Sequence, residues 1–176
     1  MSSELPNREQ ALGLLRKYKC SPQVISHCLA VADLAVETAG KLEEKGHKID
    51  IDLVEAGALL HDLGRSQTHT VDHAIAGAQI AQSVGLPETV VRIIKRHVGA
   101  GITAEEAQMM GWPKDVYAPQ TLEEKVVSFS DKLIDRSRRM PIETEIERLK
   151  MKNKPQAAKR VRKLNDEITS LLGDKK

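Results

Sequence analysis

Five residues of this chain pair metal-ligating or proton-transferring chemistry with positions where a polar group is unfavourable. His27 falls in the middle of an apolar helical stretch, and His61 and Asp62 end the most hydrophobic segment of the chain. His97 closes a run that begins Val-Val-Arg-Ile-Ile, and Asp131 follows Val-Val-Ser-Phe-Ser. Polar groups withdrawn from water need partners. One such histidine alone is ordinarily explained by a hydrogen bond to a backbone carbonyl; several together point elsewhere. Neutral imidazoles and carboxylates are the ligand set of Zn, Mn and Fe, and a catalytic site needs several of them converging from separate elements with a position left for water.

The elements that must bring them together read almost throughout at helical period. Ser21-Pro22 is an N-cap followed by proline at the first helical position, and Val24, Cys28, Val31 and Ala35 then line one face up to Gly40 or Gly46. Asp52-Leu-Val-Glu55 has the pattern of a capping box, ahead of a Leu53, Ala56, Leu59, Leu60 stripe that ends at Gly64, with His61 and Asp62 closing the helix. A helix is predicted from Asp72 to Val84, where Gly77 and Ala78 permit close approach, and another from Pro87 to His97. The pattern loosens over residues 98–120, punctuated by Gly99, Gly101, Gly111, Pro113 and Pro119, with only Thr103-Ala-Glu-Glu106 signalling a short helix; this predicts a functional or lid-like loop. Thr121-Leu-Glu-Glu124 caps the helix that carries Asp131, and two helical runs flank Pro155. Nothing in the pattern requires a strand.

Composition bounds the function class. A chain of 176 residues is enough for one domain and too few for two full ones. Four aromatics leave a Leu/Ile/Val/Ala core, which suits packed helices. The net charge of +2 argues against a protein that mainly coats nucleic acid. Residues 150–176 nevertheless hold nine basic against three acidic side chains, so the body is acidic and the tail basic. No apolar run is long enough to span a bilayer, and the start Met-Ser-Ser-Glu-Leu-Pro lacks a secretion signal, which predicts a cytoplasmic protein. Cys20 and Cys28 are too few for a disulfide scaffold and lack CxxC spacing; both are expected reduced, with Cys28 a small core residue.

His27, the pair His61-Asp62 continued by Leu63-Gly64, and Asp131 resemble the H…HD…D signature of the HD-domain metal-dependent phosphohydrolases, across roughly residues 20–140. His73, which begins His-Ala-Ile-Ala-Gly-Ala, and His97 are similar to the arrangement in HD proteins that hold two metals, including the bacterial HD-type diadenosine tetraphosphate hydrolases. The stretches HDLGRSQTH and HVGAGIT are most similar to small stand-alone HD hydrolases of archaeal type. The resemblance implies an all-α HD-domain helical bundle over residues 1–140 with a basic helical C-terminal extension over 141–176. It also implies that His27, His61, Asp62 and Asp131 ligate a first divalent metal, and that Asp62 bridges to a second held by His73 and His97. Val98 stands where bacterial two-metal relatives often place a further ligand, so the second site is expected weaker or completed by water. Fe, Mn, Zn, Ni and Co all suit such ligands.

Two such cations would activate water and neutralise the phosphoryl oxygens it attacks, on a small, nucleotide-like phosphate ester or anhydride. A 2′,3′-cyclic phosphate of a nucleotide or pterin, or a non-catalytic binding module, are the alternatives. Arg65, one turn past the His-Asp pair, is the first candidate for holding phosphate, because guanidinium is bidentate and permanently charged. Arg96 and Lys132 neighbour ligands in sequence and are weaker candidates. His69, in the loop between ligand-bearing helices, is a candidate general acid, with a plain surface histidine as its alternative, and His47 is expected exposed. Trp112 and Tyr117 either stack on a base or anchor their loop, and Gly99-Ala100-Gly101 would let backbone amides approach phosphate. The tail cations Lys159, Arg160, Arg162 and Lys163 read as a solvated face, a field over the substrate, or an RNA-docking surface, and the apolar positions of the tail would also suit a homodimer. Nucleic acid is disfavoured as the main partner.

Overall fold

Side-chain caps set where the helices begin. Ser21 accepts from the Val24 N–H, Thr121 from that of Glu124, and Thr103 and Glu106 form a reciprocal capping box, each where the sequence places it. The cap of the third helix lies two residues earlier than expected: Asp50, not Asp52, accepts from the Leu53 N–H at 3.0 Å. The structure, a computed structural model, describes residues 4–173. The polar start Met1-Ser2-Ser3 and the last charges Asp174, Lys175 and Lys176 lie outside the described residues.

Among the described residues the helices are α1 (Arg8–Lys17), α2 (Pro22–Glu44), α3 (Ile51–Leu60), α4 (His73–Ser83), α5 (Glu88–Arg96), α6 (Ala104–Met109), α7 (Leu122–Lys132), α8 (Ile142–Met151) and α9 (Pro155–Leu172). The fold is the all-α arrangement that the periodicity predicts, with one exception. A short antiparallel hairpin, β1 (Ile134–Asp135) with β2 (Arg138–Arg139), joins α7 to α8; two residues per strand are too few to leave an alternating pattern.

Helix α2 packs against α3 and α7, α4 against α5 and the 3-10 turn Leu63–Ser66, and α8 against α9. Leu15, Cys28, Val31, Leu42, Leu59, Leu60, Ile94 and Val127 lie in one core. Leu164 and Ile168 of α9 belong to that same core, while Ile142, Ile146, Leu149, Ala157, Ala158 and Val161 form a smaller cluster between α8 and α9. Most apolar positions of the extension are therefore buried within the chain, with Leu171 and Leu172 half-buried against the core and Met151 exposed. Residues 98–120 do not hang free: Trp112 and Tyr117 are buried against Ala74 of α4 and Ala107 of α6, their rings 4.9 Å apart. The Trp112 indole N–H donates to Asp72 and the Tyr117 hydroxyl to the Pro113 carbonyl. Both aromatics anchor the loop. No helix among the described residues is long and apolar enough to cross a membrane.

Candidate metal centre

The six residues singled out for metal come from five helices whose ends meet. His27 sits in the second turn of α2, and His61 is the residue that ends α3, with Asp62 next to it. His73 opens α4, His97 ends α5 and Asp131 lies in the last turn of α7. A helix end leaves backbone carbonyls without helical partners, and two of these histidines use them. The Nδ1 of His61 meets the Ala58 carbonyl and that of His97 the Ile94 carbonyl, each at 2.7 Å. His73 does the same with Thr70, and His27 with Arg136 in the hairpin, again at 2.7 Å. A carbonyl only accepts, so each Nδ1 carries a proton and each ring, when neutral, presents a bare Nε2 lone pair.

Those lone pairs converge on two carboxylates. The His27 Nε2 lies 2.9 Å from Asp131 Oδ1, and the His61 Nε2 3.4 Å from the same oxygen and 3.6 Å from Asp62 Oδ2. On the other side, Asp62 Oδ1 is 3.1 Å from the His73 Nε2 and 3.5 Å from that of His97, and the two Nε2 atoms are 3.1 Å apart. The ligand atoms thus fall into two groups that share His61, one of His27, His61 and Asp131 and one of His61, Asp62 and His97, with one Asp62 oxygen facing His27 and the other facing His73. With the Nε2 atoms deprotonated, acceptor faces acceptor throughout, and the fully buried His61 Nε2 has no hydrogen-bond partner. Acceptors crowded to 2.9–3.1 Å repel unless a proton or a metal cation lies among them, and a set of imidazole and carboxylate donors from separate elements fits divalent metal.

The electrostatics carry the same message. Burial pushes His97 down to about 4, so it is neutral near pH 7 and has no proton to displace. Burial works against charge on His61 too, but Asp62, then Cys28 and Asp131, outweigh it and draw that ring toward its protonated form, a charge that a metal ion would replace. Asp62 and Asp131 are held well below the usual carboxylate range against burial, Asp62 chiefly by His61 and His73 and Asp131 chiefly by Lys132 and His27.

The remaining candidates separate. The Arg65 Nε donates to Asp62 Oδ2 at 2.9 Å and its Nη1 to the His69 carbonyl at 3.2 Å, which places Arg65 at the centre. Lys132 donates to Asp131 Oδ2 at 2.6 Å. Arg96 is tied elsewhere: its guanidinium spans both oxygens of the buried Glu124 and the Val116 carbonyl. The His69 ring is exposed, and His47 is half-buried. In the glycine-rich turn the Gly101 N–H is taken by the Val98 carbonyl at 2.9 Å. Sequence reasoning missed the carbonyls of Ala58, Thr70, Ile94 and Arg136, and Ser128, whose hydroxyl donates to the His97 carbonyl at 3.0 Å. For three of the carbonyls a signal existed, since each lies three residues before its histidine.

Comparison with known proteins places this geometry. The chain is 45% identical over 167 residues to an uncharacterized protein of Methanocaldococcus jannaschii, covering 93% of this chain and 98% of that one. It is 39% identical to a tRNA (cytidine(56)-2′-O)-methyltransferase of Picrophilus torridus, over 96% of this chain but 48% of the enzyme, so it spans about half the length of that relative. A ribonuclease Y of Acidothermus cellulolyticus is 40% identical over 96 residues, 52% of this chain and 18% of the enzyme. Among solved structures, the HD domain of the Listeria monocytogenes phosphodiesterase PgpH in complex with cyclic-di-AMP shares the fold, with a TM-score of 0.57 at 21% identity over 92% of this chain and 96% of that one. The HD domain model matches residues 24–135, the span that runs from α2 through the last candidate ligand to β1. The chain belongs to the HD domain family, within the metal-dependent phosphohydrolase superfamily.

Proposed function

We propose that this protein hydrolyses a phosphate ester or anhydride of a small nucleotide-like substrate with the help of one or two divalent metal ions. The observation that carries this reading is the convergence of four Nδ1-anchored imidazoles and two carboxylates on a centre where acceptors face one another. His27, His61, Asp62 and Asp131 would hold the first ion, and Asp62, His73 and His97 the second. Bound there, a divalent ion supplies Lewis acidity that makes water nucleophilic near neutral pH and offsets phosphoryl charge. Fe, Mn, Zn, Ni and Co all suit the donors.

The protein side chains do the rest. Arg65 fixes the Asp62 carboxylate through one nitrogen and keeps further donors for phosphoryl oxygens. Lys132 fixes the far oxygen of Asp131 and adds positive charge at the same edge. His69, exposed on the loop whose carbonyl Arg65 grips, would serve as the proton donor to the leaving oxygen. Similarity to ribonuclease Y favours a phosphodiester, including a 2′,3′-cyclic phosphate, over a monoester. Free Cys20 and Cys28 accord with a reducing cytoplasm.

The test is anaerobic incubation with Fe(II) or Mn(II) and a panel of diadenosine polyphosphates, mononucleotides and 2′,3′-cyclic phosphates, beside Asp62→Ala. A product that disappears in Asp62→Ala supports the reading, and the bond cut names the substrate class. Metal bound without turnover on any member would instead favour a binding module.

A further inference from the structure

Exposure around the metal centre is lopsided. The side chains of His61, His73 and His97 are 0%, 4% and 2% exposed and Asp62 6%, whereas His27 keeps 16% and Asp131 13%. Among the ligands, the His27 and Asp131 side is therefore the more open. That side is bordered by the β1–β2 hairpin, because the carbonyl accepting from His27 belongs to Arg136, the first residue of its two-residue turn Arg136-Ser137.

The cations near this opening are mostly engaged. Arg65 holds Asp62 and Lys132 holds Asp131, while Arg139 donates to Glu37 and Arg148 to Asp135, each of the last two at 2.6 Å. Arg136 and Arg138 differ: both are exposed, and neither side chain has a hydrogen bond or ion pair among the described residues. The adjacent carboxylate, Asp135, feels Arg136 but is already paired with Arg148.

The backbone adds a second, independent sign. Arg136 has φ +56°, a left-handed conformation that two-residue hairpin turns ordinarily give to Asn, Asp or Gly. Glycine or asparagine would present the same carbonyl to His27 with less strain. The contact to His27 therefore accounts for the turn and leaves the arginine side chain unexplained, and strain of this kind gathers at functional sites.

We propose that Arg136, seconded by Arg138, is a specificity-determining cation pair that holds a second, non-reacting phosphate, so that the centre selects substrates carrying at least two phosphates. This rests on the phosphohydrolase reading and narrows its substrate class. A guanidinium suits that role because it binds phosphate bidentately and stays charged at every working pH. The second phosphate comes either from an anhydride chain or from an oligonucleotide backbone, and diadenosine tetraphosphate and 5′-phosphorylated diadenylate separate the two.

The experiment compares the metal-loaded wild type with Arg136→Asn, which suits the positive φ, and with Arg136→Lys. The single-phosphorus control is bis(p-nitrophenyl) phosphate. Arg136→Asn is expected to raise KM about tenfold or more on one or both multi-phosphate probes, several times its effect on the control, with kcat little altered and part of the loss recovered by Arg136→Lys. Added NaCl should raise the wild-type KM on those probes more steeply than that of Arg136→Asn. An equal change on control and multi-phosphate probes, or no change on either, overturns the proposal. If the wild type turns over none of them, the phosphohydrolase reading fails, and calorimetry with inorganic tripolyphosphate decides on Arg136: about tenfold weaker binding by Arg136→Asn sustains the phosphate site, and equal binding overturns it.

Discussion

Burial acts on single side chains according to what faces them. Cys20 is buried beside Cys28 and the carboxylate of Asp62, and its thiol is pushed up to about 11, burial being the largest cause. Burial also raises Cys28. Thiolate is the reactive form, and a thiol at that value is ionised in about one molecule in a thousand at pH 8. Labelling by a thiol reagent at pH 8 is thus expected to be at least about 100-fold slower in the native protein than after denaturation; comparable rates would mean that the α2 segment opens readily. Asp62 is buried to the same extent, yet its two oxygens face two groups of imidazoles, and that division predicts a metal count. Asp62→Ala should strip both ions, whereas His97→Ala should leave the ion of His27, His61 and Asp131 and weaken only the other, by about 10–100-fold or more. Elemental analysis after dialysis checks this, and equal loss in both variants would argue for one shared ion.

At the scale of elements, the ligands meet because two glycines let two backbones touch. A Cβ on Gly64 would lie 1.8 Å from the His73 carbonyl oxygen and 2.5 Å from the Gly77 nitrogen, and a Cβ on Gly77 would lie 2.9 Å from the Gly64 nitrogen. The turn after Asp62 is thereby seated against the first turns of α4, which brings His73 to 3.1 Å from Asp62. Gly64→Ala must push α4 away; the expected result is destabilisation of about 3 kcal/mol in denaturant titrations, at the upper end for overpacking, together with loss of the His73 and His97 ion in preference to the other. The α6 cap offers a pH test. Burial alone would raise Glu106, but the Thr103 N–H and Arg160 outweigh it and hold the carboxyl below its ordinary value. A depressed folded-state value gives stability that is full above the unfolded value of about 4.3 and fades as pH falls through the folded one. Glu106→Gln keeps an acceptor for the Thr103 N–H but lacks that charge, so it should be the less stable above pH 5 and converge with the wild type in acid. Legibility from the sequence divided along the same line. The helix caps at Ser21, Thr103 and Thr121 and the set of polar residues at helix ends were legible because each depends on near neighbours, and the close approach at Gly77 because a small residue on a helix face signals it whatever the partner. The hairpin, the Asp50 cap and the commitment of Arg96 to Glu124 were not. Asp50 and Asp52 both stand where a cap is plausible, and Arg96 meets Glu124 only through the packing of α5 on α7.

For the whole molecule, the charge asymmetry of the sequence is partly neutralised within the chain, while Lys159 and Lys163 stay exposed. The basic helix α9 pairs Arg160 with Glu106 and Arg162 with Glu143, and its own Glu167 takes Lys125 from α7. Pairs this exposed contribute little, about 0–1 kcal/mol each. What holds α9 in place is apolar: Leu164 and Ile168 are buried in the core that contains α2, α3 and α7, and Ala100 and Leu133 touch both that core and the α8–α9 cluster. The extension therefore completes the domain that carries the candidate metal centre, and it packs on α7, which holds Asp131, and on the turn Val98–Ala100 after His97. Ile168→Ala is accordingly expected to cost about 2–5 kcal/mol, which at this chain length lowers Tm by about 2–4 °C per kcal/mol. A saturating divalent ion at about 100 times its Kd restores about 2.7 kcal/mol to any variant whose ligands remain in place. If α9 supports the centre, Mn(II) will raise the Tm of Ile168→Ala by less than it raises that of the wild type, because part of the binding energy goes into repositioning Asp131 and His97. An equal Mn(II) shift in the two proteins would show instead that the centre is held by α2, α3, α4, α5 and α7 without help from the C-terminal helix.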